Sequence, residues 1–352
     1  MKLHQKFLST ALTLLLLVSL TACGQRADAP APAAPETAAP EAAAPESDAL
    51  PAEPPAAPVQ MRAAALKGPT AMGLVNLMST PGAGQDYEFT LAGSADEVTP
   101  ALIKGDLDAA CVPANLASVL YNKTEGGVVC LAVNTLGVLY IVENGEEIRS
   151  MEDLRGRTIV SAGKGATPEY GLRYLLSENG IDPDRDVTID WKSEHSECVA
   201  ALASGAATIA MLPQPFVTAA QGKIEGLRTA LDLTAEWDAL DNGSAMITGV
   251  VVARRAFVEE HPEAVERFLE EYAQSVDWVN ANPAEAGALI AEYGIVESTA
   301  LAEKALPHCN IVCLTGQEMF EKLSGYLQVL SEAAPESVGG ALPRDDFYYG
   351  AA

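Results

Sequence analysis

Two copies of a Lys-Gly-x-Thr motif hold the residues best suited to bind a small solute. The sequence KGPT stands at 67–70, and KGAT stands at 164–167. In both places a helical pattern follows a strand-like segment, and a helix start has unpaired N–H groups and about half a positive charge. Glycine lets a ligand approach the backbone, threonine offers a hydroxyl at or near the helix cap, and lysine adds charge. The repeated motif predicts two helix starts that close on one small anionic or polar molecule.

An alternative interpretation gives the motif only a structural role. Thr70 and Thr167 would then cap their helices, and Lys67 and Lys164 would be solvated. Four further polar residues lie at predicted strand ends or crossovers, where a local cap or turn is again the alternative. The predicted ligand-binding set contains no catalytic residue, metal ligand or cofactor, and it comprises Gly68, Pro69, Thr70, Ser94, Asn115, Asn134, Gly165, Thr167 and Gln214.

The elements that position these residues occur twice in the chain. Residues 86–113 align with residues 186–213 without a gap, at an offset of one hundred. Each segment contains a strand of period two, an amphipathic helix that ends at glycine, and an apolar strand that ends at proline. Alternating strands and helices predict parallel sheets with helices on both faces. The fold class is therefore α/β, with two similar lobes.

The chain is predicted to cross between the lobes twice. Apolar stretches at 129–143 and 245–255 contain polar or glycine residues at their centres, near Asn134 and Thr248. The second lobe lies between these stretches, and the helical patterns after them return to the first lobe. We therefore assign residues 61–136 plus 249–352 to lobe 1 and residues 137–248 to lobe 2.

The N-terminal residues predict export and lipid attachment. Two lysines precede the apolar run ALTLLLLVSL, which is too short to span a bilayer as a helix, and the run ends in Leu-Thr-Ala-Cys. That sequence resembles a bacterial lipobox, which implies a signal peptide at 1–22 and lipid on Cys23. Residues 23–60 are rich in Ala, Pro and Glu, and such a composition predicts an extended tether between the membrane and the folded part.

Charge and cysteine content narrow the possible partners. The formal net charge is −26, and such an acidic chain repels phosphate backbones, so nucleic acid is not an expected partner. Five cysteines follow Cys23, an odd number that cannot pair entirely within one chain. Cys111 and Cys130 lie on apolar runs and are expected to be buried thiols. Cys309 and Cys313 fit no common zinc pattern.

Four blocks of the chain carry a family resemblance: LKGPT, GSADEVTPALIKGDLDAACVPANLA, LRGRTIVSAGKGATPEYGLRYLLSENGIDP and ALASGAATIAMLPQPFVTAA. Their order and spacing resemble lipid-anchored substrate-binding proteins of ABC importers, from the group that handles nitrate, sulfonates, taurine and thiamine precursors. The resemblance implies a type 2 periplasmic-binding-protein-like fold, in which two α/β lobes are joined by two crossover segments. It also implies a monomer outside the cytoplasm that captures a small solute by hinge closure and docks on a permease with its ATPase.

Two other functions remain open at this point. A ligand-binding sensor would use the same fold without transport. An enzyme is the less favoured alternative, because the same fold resembles enzymes of pyrimidine and menaquinone precursor synthesis. The chain contains no HExxH, P-loop or GxSxG motif, and His195 has no nucleophile near it in sequence. The expectation is therefore a binding protein whose solute the sequence does not identify.

Overall fold

The computed structural model describes residues 59–351, so Cys23, the predicted signal peptide and nearly all of the predicted tether lie outside the described residues. Within that range no helix combines the length and the apolar composition needed to cross a membrane. The strands are β1 Met61–Leu66, β2 Tyr87–Ala92, β3 Ala109–Pro113, β4 Val128–Leu136, β5 Leu139–Asn144, β6 Thr158–Ala162, β7 Thr188–Lys192, β8 Ile209–Pro213, β9 Leu227–Asp232, β10 Ile247–Arg254 and β11 Ile311–Leu314.

The α-helices connect these strands and cover the faces of the sheets. They are α1 Pro69–Met72, α2 Val75–Ser79, α3 Ala83–Asp86, α4 Ala95–Lys104, α5 Ala114–Lys123, α6 Thr167–Glu178, α7 His195–Ala203, α8 Phe216–Gln221, α9 Leu233–Asp238, α10 Arg255–Glu260, α11 Pro262–Ala281, α12 Pro283–Glu292, α13 Thr299–Ala305 and α14 Gly316–Ala333. Short 3₁₀ turns cover Met151–Leu154, Leu306–His308, Pro335–Val338 and Asp345–Phe347.

The strands form two separate sheets of similar plan. The first has the order β11-β4-β10-β3-β1-β2, and the second has the order β7-β6-β8-β5-β9. In each sheet three strands of the repeat are parallel, whereas the strands that come from a crossover are antiparallel to them. The expectation of parallel sheets is therefore confirmed for these three strands of each sheet and was wrong for the strands that come from a crossover. A strand that enters from the other lobe arrives from the opposite end of the sheet, so it runs in the opposite direction.

The repeat predicted at an offset of one hundred is confirmed element by element. Strand β2 corresponds to β7, helix α4 to α7, and strand β3 to β8, with the last two strands ending at Pro113 and Pro213. The helix α4 ends at Gly105, whose φ of 85° is the left-handed conformation that glycine adopts at low cost. The predicted division into lobes stays a prediction, which is supported by the strands that each sheet contains.

The C-terminal part packs mainly against the first sheet. Helix α11 buries one face, with Val265, Phe268 and Tyr272 fully buried and Leu269 only partly buried. Beyond α14 the backbone N–H of Tyr349 donates to the carbonyl of Cys130 at 2.9 Å. Helix α14 itself packs against α5 of the first lobe and α6 of the second. The C-terminal region is thus part of the core and also bridges the lobes.

A buried carboxylate fixes the inner strands of the first sheet. Asp108, just before β3, accepts hydrogen bonds from the Nε, Nη2 and backbone N–H of Arg62 on β1, at 2.7–3.0 Å, and from Arg254 on β10 at 2.9 Å. Burial acts to raise the pKa of Asp108, but the hydrogen bonds from Arg62 and Arg254 outweigh it and lower the pKa below its ordinary value. This carboxylate therefore ties three strands together.

We predict that Asp108→Asn lowers the free energy of unfolding at pH 7 by about 2 kcal/mol, because hydrogen bonds to a charged group are lost. A carboxyl group whose pKa is lowered by folding stabilises the fold at pH values above its unfolded-state pKa, and this stabilisation is lost as the pH falls. The difference in unfolding free energy between wild type and Asp108→Asn should therefore shrink in acid. Urea unfolding at pH 7 and at pH 3 measures both. The control is Glu152→Gln, which breaks an exposed pair with Arg155 and should cost less than about 1 kcal/mol. Equal losses in the two variants would contradict the prediction.

Candidate functional site

The two sheets share a cavity of about 250 Å³, which we call the inner chamber. The first sheet and its helices line it with residues from α1, the end of β3, the start of α5 and the start of β10. The second sheet and its helices line it with residues from the start of β5, the starts of α6 and α7, and the end of β8. In parallel-sheet architectures ligands bind beyond the carboxyl ends of strands, where helices begin. The inner chamber is lined by Thr70, Pro113, Asn115, Val138, Leu139, Ala166, Thr167, Pro168, His195, Pro213 and Thr248.

Three predicted ligand-binding residues meet in the inner chamber, although the sequence separates them by up to 97 positions. They are Thr70 and Asn115 from the first lobe and Thr167 from the second. Asn115 also donates from Nδ2 to the carbonyl of Ser337, at 3.3 Å, which ties its side chain to the C-terminal region. The structure thus places a hydroxyl from each copy of the motif around one space.

The predicted capping role of the two threonines was wrong. The cap positions of α1 and α6 are Gly68 and Ala166, and neither helix has a side-chain cap. Both helices have a proline in the first turn. Thr70 is the second residue of α1 and Thr167 is the first residue of α6, so both threonines lie inside their helices. Thr70 donates from Oγ1 back to the carbonyl of Leu66, at 2.9 Å, and leaves the oxygen lone pairs available as an acceptor.

Asn134 contacts the backbone of Thr70 and is not among the residues that line the inner chamber. Its side chain is fully buried, its Nδ2 donates to the carbonyl of Thr70 at 3.2 Å, and its Oδ1 accepts from Thr135 at 3.0 Å. Gly249 on β10 faces the same group. A Cβ at that glycine would lie 2.4 Å from Cγ2 of Thr70 and 2.5 Å from Oδ1 of Asn134. Asn134 is therefore placed to hold Thr70 in position.

Other predicted residues lie outside the inner chamber. Ser94 is exposed at the start of α4 and donates to Glu97 at 3.1 Å. The amide of Gly165 donates to Oε2 of Glu169 at 2.7 Å, so a carboxylate of the chain itself occupies that helix start. Pro69 is the first residue of α1.

Gln214 has a local structural role in the second lobe. Its side chain is buried, and its Oε1 accepts from the hydroxyl of Thr218 at 2.9 Å. It precedes Pro215, and the peptide bond between them is cis. The amide oxygen of Gln214 therefore supports the start of α8.

A second cavity, of about 380 Å³, lies next to the first, and we call it the outer chamber. Gly68 belongs to it, with a φ of 117° that glycine adopts readily, and no atom lies within 4 Å of the position that a Cβ would take there. The outer chamber is lined by Lys67, Gly68, Ser196, Val199, Pro215, Phe216, Ala219, Lys223, Ile295, Val296, Glu297 and Leu301.

His195 is the main site residue that sequence reasoning missed. It is the first residue of α7, it lines the inner chamber, and its ring lies 5.2 Å from that of Phe216. Burial lowers the pKa of His195 below its ordinary value, which favours the neutral ring. Its Nδ1 is buried and has no hydrogen-bond partner within residues 59–351. The offset of one hundred from the start of α4 was the signal that could have found it.

The two lobes contact each other near the two chambers. The hydroxyl of Tyr140 donates to the carbonyl of His308 at 2.8 Å, and Nδ2 of Asn310 donates to the carbonyl of Gly137 at 2.6 Å. Helix α8 packs against α13, and α6 packs against α14. Contacts between the lobes therefore lie beside both chambers.

Comparison with known proteins identifies the family. The profile of the family described as "ABC transporter, phosphonate, periplasmic substrate-binding protein" matches residues 73–304. The chain belongs to this family. A binding protein of Brucella abortus is 27% identical over 200 residues, which are 57% of this chain and 59% of the relative. The match therefore spans 59% of the length of that curated relative.

Two solved structures share the fold. An ABC transporter from Parabacteroides distasonis matches with a TM-score of 0.70 and 24% identity, over 82% of this chain and 98% of the other. The periplasmic aliphatic sulphonate binding protein SsuA from Escherichia coli matches with a TM-score of 0.64 and 17% identity, over 80% and 91%. The predicted periplasmic-binding-protein-like fold and the resemblance to this group of substrate-binding proteins are confirmed.

We predict that Gly249→Ala lowers the free energy of unfolding by about 1–3 kcal/mol, as overpacking of a filled core does. The new Cβ would displace Thr70 and Asn134 from their present contact. The matched control is Gly84→Ala in the short helix α3, where no atom lies within 4 Å and the backbone is helical. That change should be neutral or stabilise by up to about 1 kcal/mol. Denaturant unfolding measures both, and a Gly249→Ala variant as stable as wild type would contradict the packing described here.

Proposed function

We propose that the protein is an extracytoplasmic solute-binding lipoprotein that delivers a small polar or anionic organic solute to an ABC importer. The observation that carries the proposal is the inner chamber, which residues of both lobes line and which contains one threonine from each copy of the Lys-Gly-x-Thr motif. A ligand favours closure only if it binds the closed form more tightly than the open one, and contact with both lobes supplies that difference.

The proposed partners follow from the family. A permease and its ATPase would receive the solute, the protein would act as a monomer, and lipid on Cys23 would hold it at the bacterial membrane, in the periplasm or on the cell surface. The two segments between the sheets, residues 137–138 and 239–246, would absorb the rotation of the lobes. Nucleic acid is not a proposed partner, because the net charge is −26.

The lining of the inner chamber supports binding over catalysis. Among its described lining residues His195 is the one titratable side chain, and that lining contains no carboxylate and no thiol. General acid–base or nucleophilic catalysis needs a second group within hydrogen-bond reach of the first. We therefore propose a role without turnover. A sensor that binds the same solute would differ in its partner, and a permease–ATPase gene pair beside this gene would favour import.

We predict that Thr167→Val weakens binding of the cognate solute about threefold to tenfold, because one hydrogen bond is lost. The solute is first found by a thermal-shift screen of nitrate, alkanesulfonates, taurine, alkylphosphonates, aromatic acids and hydroxymethylpyrimidine. A solute at one hundred times its Kd stabilises the folded chain by about 2.7 kcal/mol. Titration calorimetry then compares the variants. The control is Thr188→Val on the exposed side of β7, which should leave the affinity unchanged. Equal affinity in wild type and Thr167→Val would place the solute elsewhere.

We predict that Cys23→Ser releases the protein from the membrane fraction, because the proposed lipid is attached to that thiol. Buried acyl chains contribute about 0.8 kcal/mol per CH₂ group, so their loss removes the anchor. Fractionation of cells that express each variant, together with incorporation of labelled palmitate, measures the effect. Cys313→Ser is the control and should stay in the membrane fraction. Palmitate labelling that persists in Cys23→Ser would contradict the proposed lipid site.

A further inference from the structure

We propose that the solute has two parts: an uncharged, largely apolar part that occupies the inner chamber, and an anionic group that lies in the outer chamber between Lys67 and Lys223. This inference rests on the proposed function and names the chemical class of its solute. Neither lysine belongs to the predicted ligand-binding set. The charges and contacts of the two chambers carry the inference.

The inner chamber is poorly suited to an anion. Its walls are mainly proline, valine, leucine and alanine, and its described lining contains no lysine or arginine. Burial lowers the pKa of His195, which favours the uncharged ring. An anion without a countercharge or full hydrogen bonding pays a large desolvation cost in such surroundings. An uncharged group with a few hydrogen-bonding atoms, placed near the hydroxyls of Thr70 and Thr167, matches this lining.

The helix starts of the second lobe do not supply the positive charge that an anion would need, because carboxylates of the chain already accept hydrogen bonds from their amides. Oε2 of Glu169 accepts from the amide of Gly165 at 2.7 Å, at the start of α6. Oε2 of Glu197 accepts from the amide of Ser193 at 2.8 Å, where α7 begins. A negative charge at a helix start cancels much of the attraction that the dipole offers to an external anion. These two helices therefore favour an uncharged ligand.

The outer chamber carries the opposite balance. Lys67 directly follows β1 in the first lobe, and Lys223 follows α8 in the second lobe. Neither ammonium group has a carboxylate within 4 Å among the residues that the structure describes. Glu297 is the one acidic residue of the described lining, so the chamber has one excess positive charge in a chain of net charge −26. Both lysine side chains are exposed, so an anion is able to approach them from solvent.

The two lysines line one cavity from different lobes. Two like charges that share one cavity repel each other, and the repulsion is stronger where water is excluded. An anionic group between them replaces this repulsion by two attractions. Because the lysines belong to different lobes, the anion would stabilise the closed form directly. The charge would therefore make closure depend on the solute.

The two chambers are neighbours, because residues that are close together in the chain line one chamber each. His195 lines the inner chamber and Ser196 lines the outer chamber. Likewise Pro213 lines the inner chamber and Pro215 lines the outer chamber. The rings of His195 and Phe216 lie 5.2 Å apart at the boundary. With volumes of about 250 and 380 Å³, the chambers fall within the range of small-molecule sites when they are taken together.

Titration calorimetry with three probes tests this inference on the full chain: benzylphosphonate, benzyl alcohol and inorganic phosphate. We expect benzylphosphonate to bind at least tenfold more tightly than either of the others. The double variant Lys67→Gln, Lys223→Gln should remove this advantage and leave the affinity for benzyl alcohol unchanged. The matched control is Lys104→Gln, Lys123→Gln, which removes the same charge from exposed helix ends of the first lobe and should behave as wild type.

Three results would each overturn the inference. The first is that benzylphosphonate binds no more tightly than benzyl alcohol or phosphate, and the second is that the lysine variant keeps the full advantage. The third is that none of the three probes binds. The proposed function is judged separately, since a solute from the thermal-shift screen whose binding depends on Thr167 would support it even if all three probes failed.

Discussion

The close packing of α1, β4 and β10 around Thr70 is the constraint on which the site depends. The side chain of Asn134 on β4 holds the carbonyl of Thr70, and Gly249 on β10 leaves no room for a side chain against either residue. Strand β4 leads into one crossover, and β10 follows the other. The same contact therefore fixes the first helix start and the strands that connect the lobes. Thr70 is therefore held by the two strands that lead into and out of the second lobe.

Charge is distributed so that each chamber selects a different chemistry. In the second lobe Glu169 and Glu197 satisfy the exposed amides at helix starts, so an external anion gains little there. Positive charge appears instead in the outer chamber, at Lys67 and Lys223. The membership of the chain in a phosphonate-binding family is compatible with an anionic solute. The structure adds a physical reason for that anion to lie beside the lysines rather than at the centre of the lobes.

The sequence predicted the repeated elements well, because the signals behind them are local. Strand periodicity, the glycine after a helix and the proline after a strand act within a few residues, and β2, α4 and β3 recur in β7, α7 and β8 as expected. The meeting of Thr70 with Thr167 also followed from the general rule on strand ends. These predictions needed no knowledge of distant contacts.

The missed features all depend on contacts that sequence patterns do not specify. Glu169 was not expected to occupy the amide of Gly165, because a surface carboxylate and a cap look alike in sequence. His195 and Lys223 reach the chambers only through the placement of the second sheet against the first. The antiparallel direction of β5 and β10 likewise results from the crossovers.

The most direct test of the central claim is a crystal structure of the protein with the solute identified by the thermal-shift screen. We predict that the solute lies between the lobes, within hydrogen-bond distance of Thr70 and Thr167. A solute bound on an outer face, or held by residues of one lobe alone, would contradict this prediction.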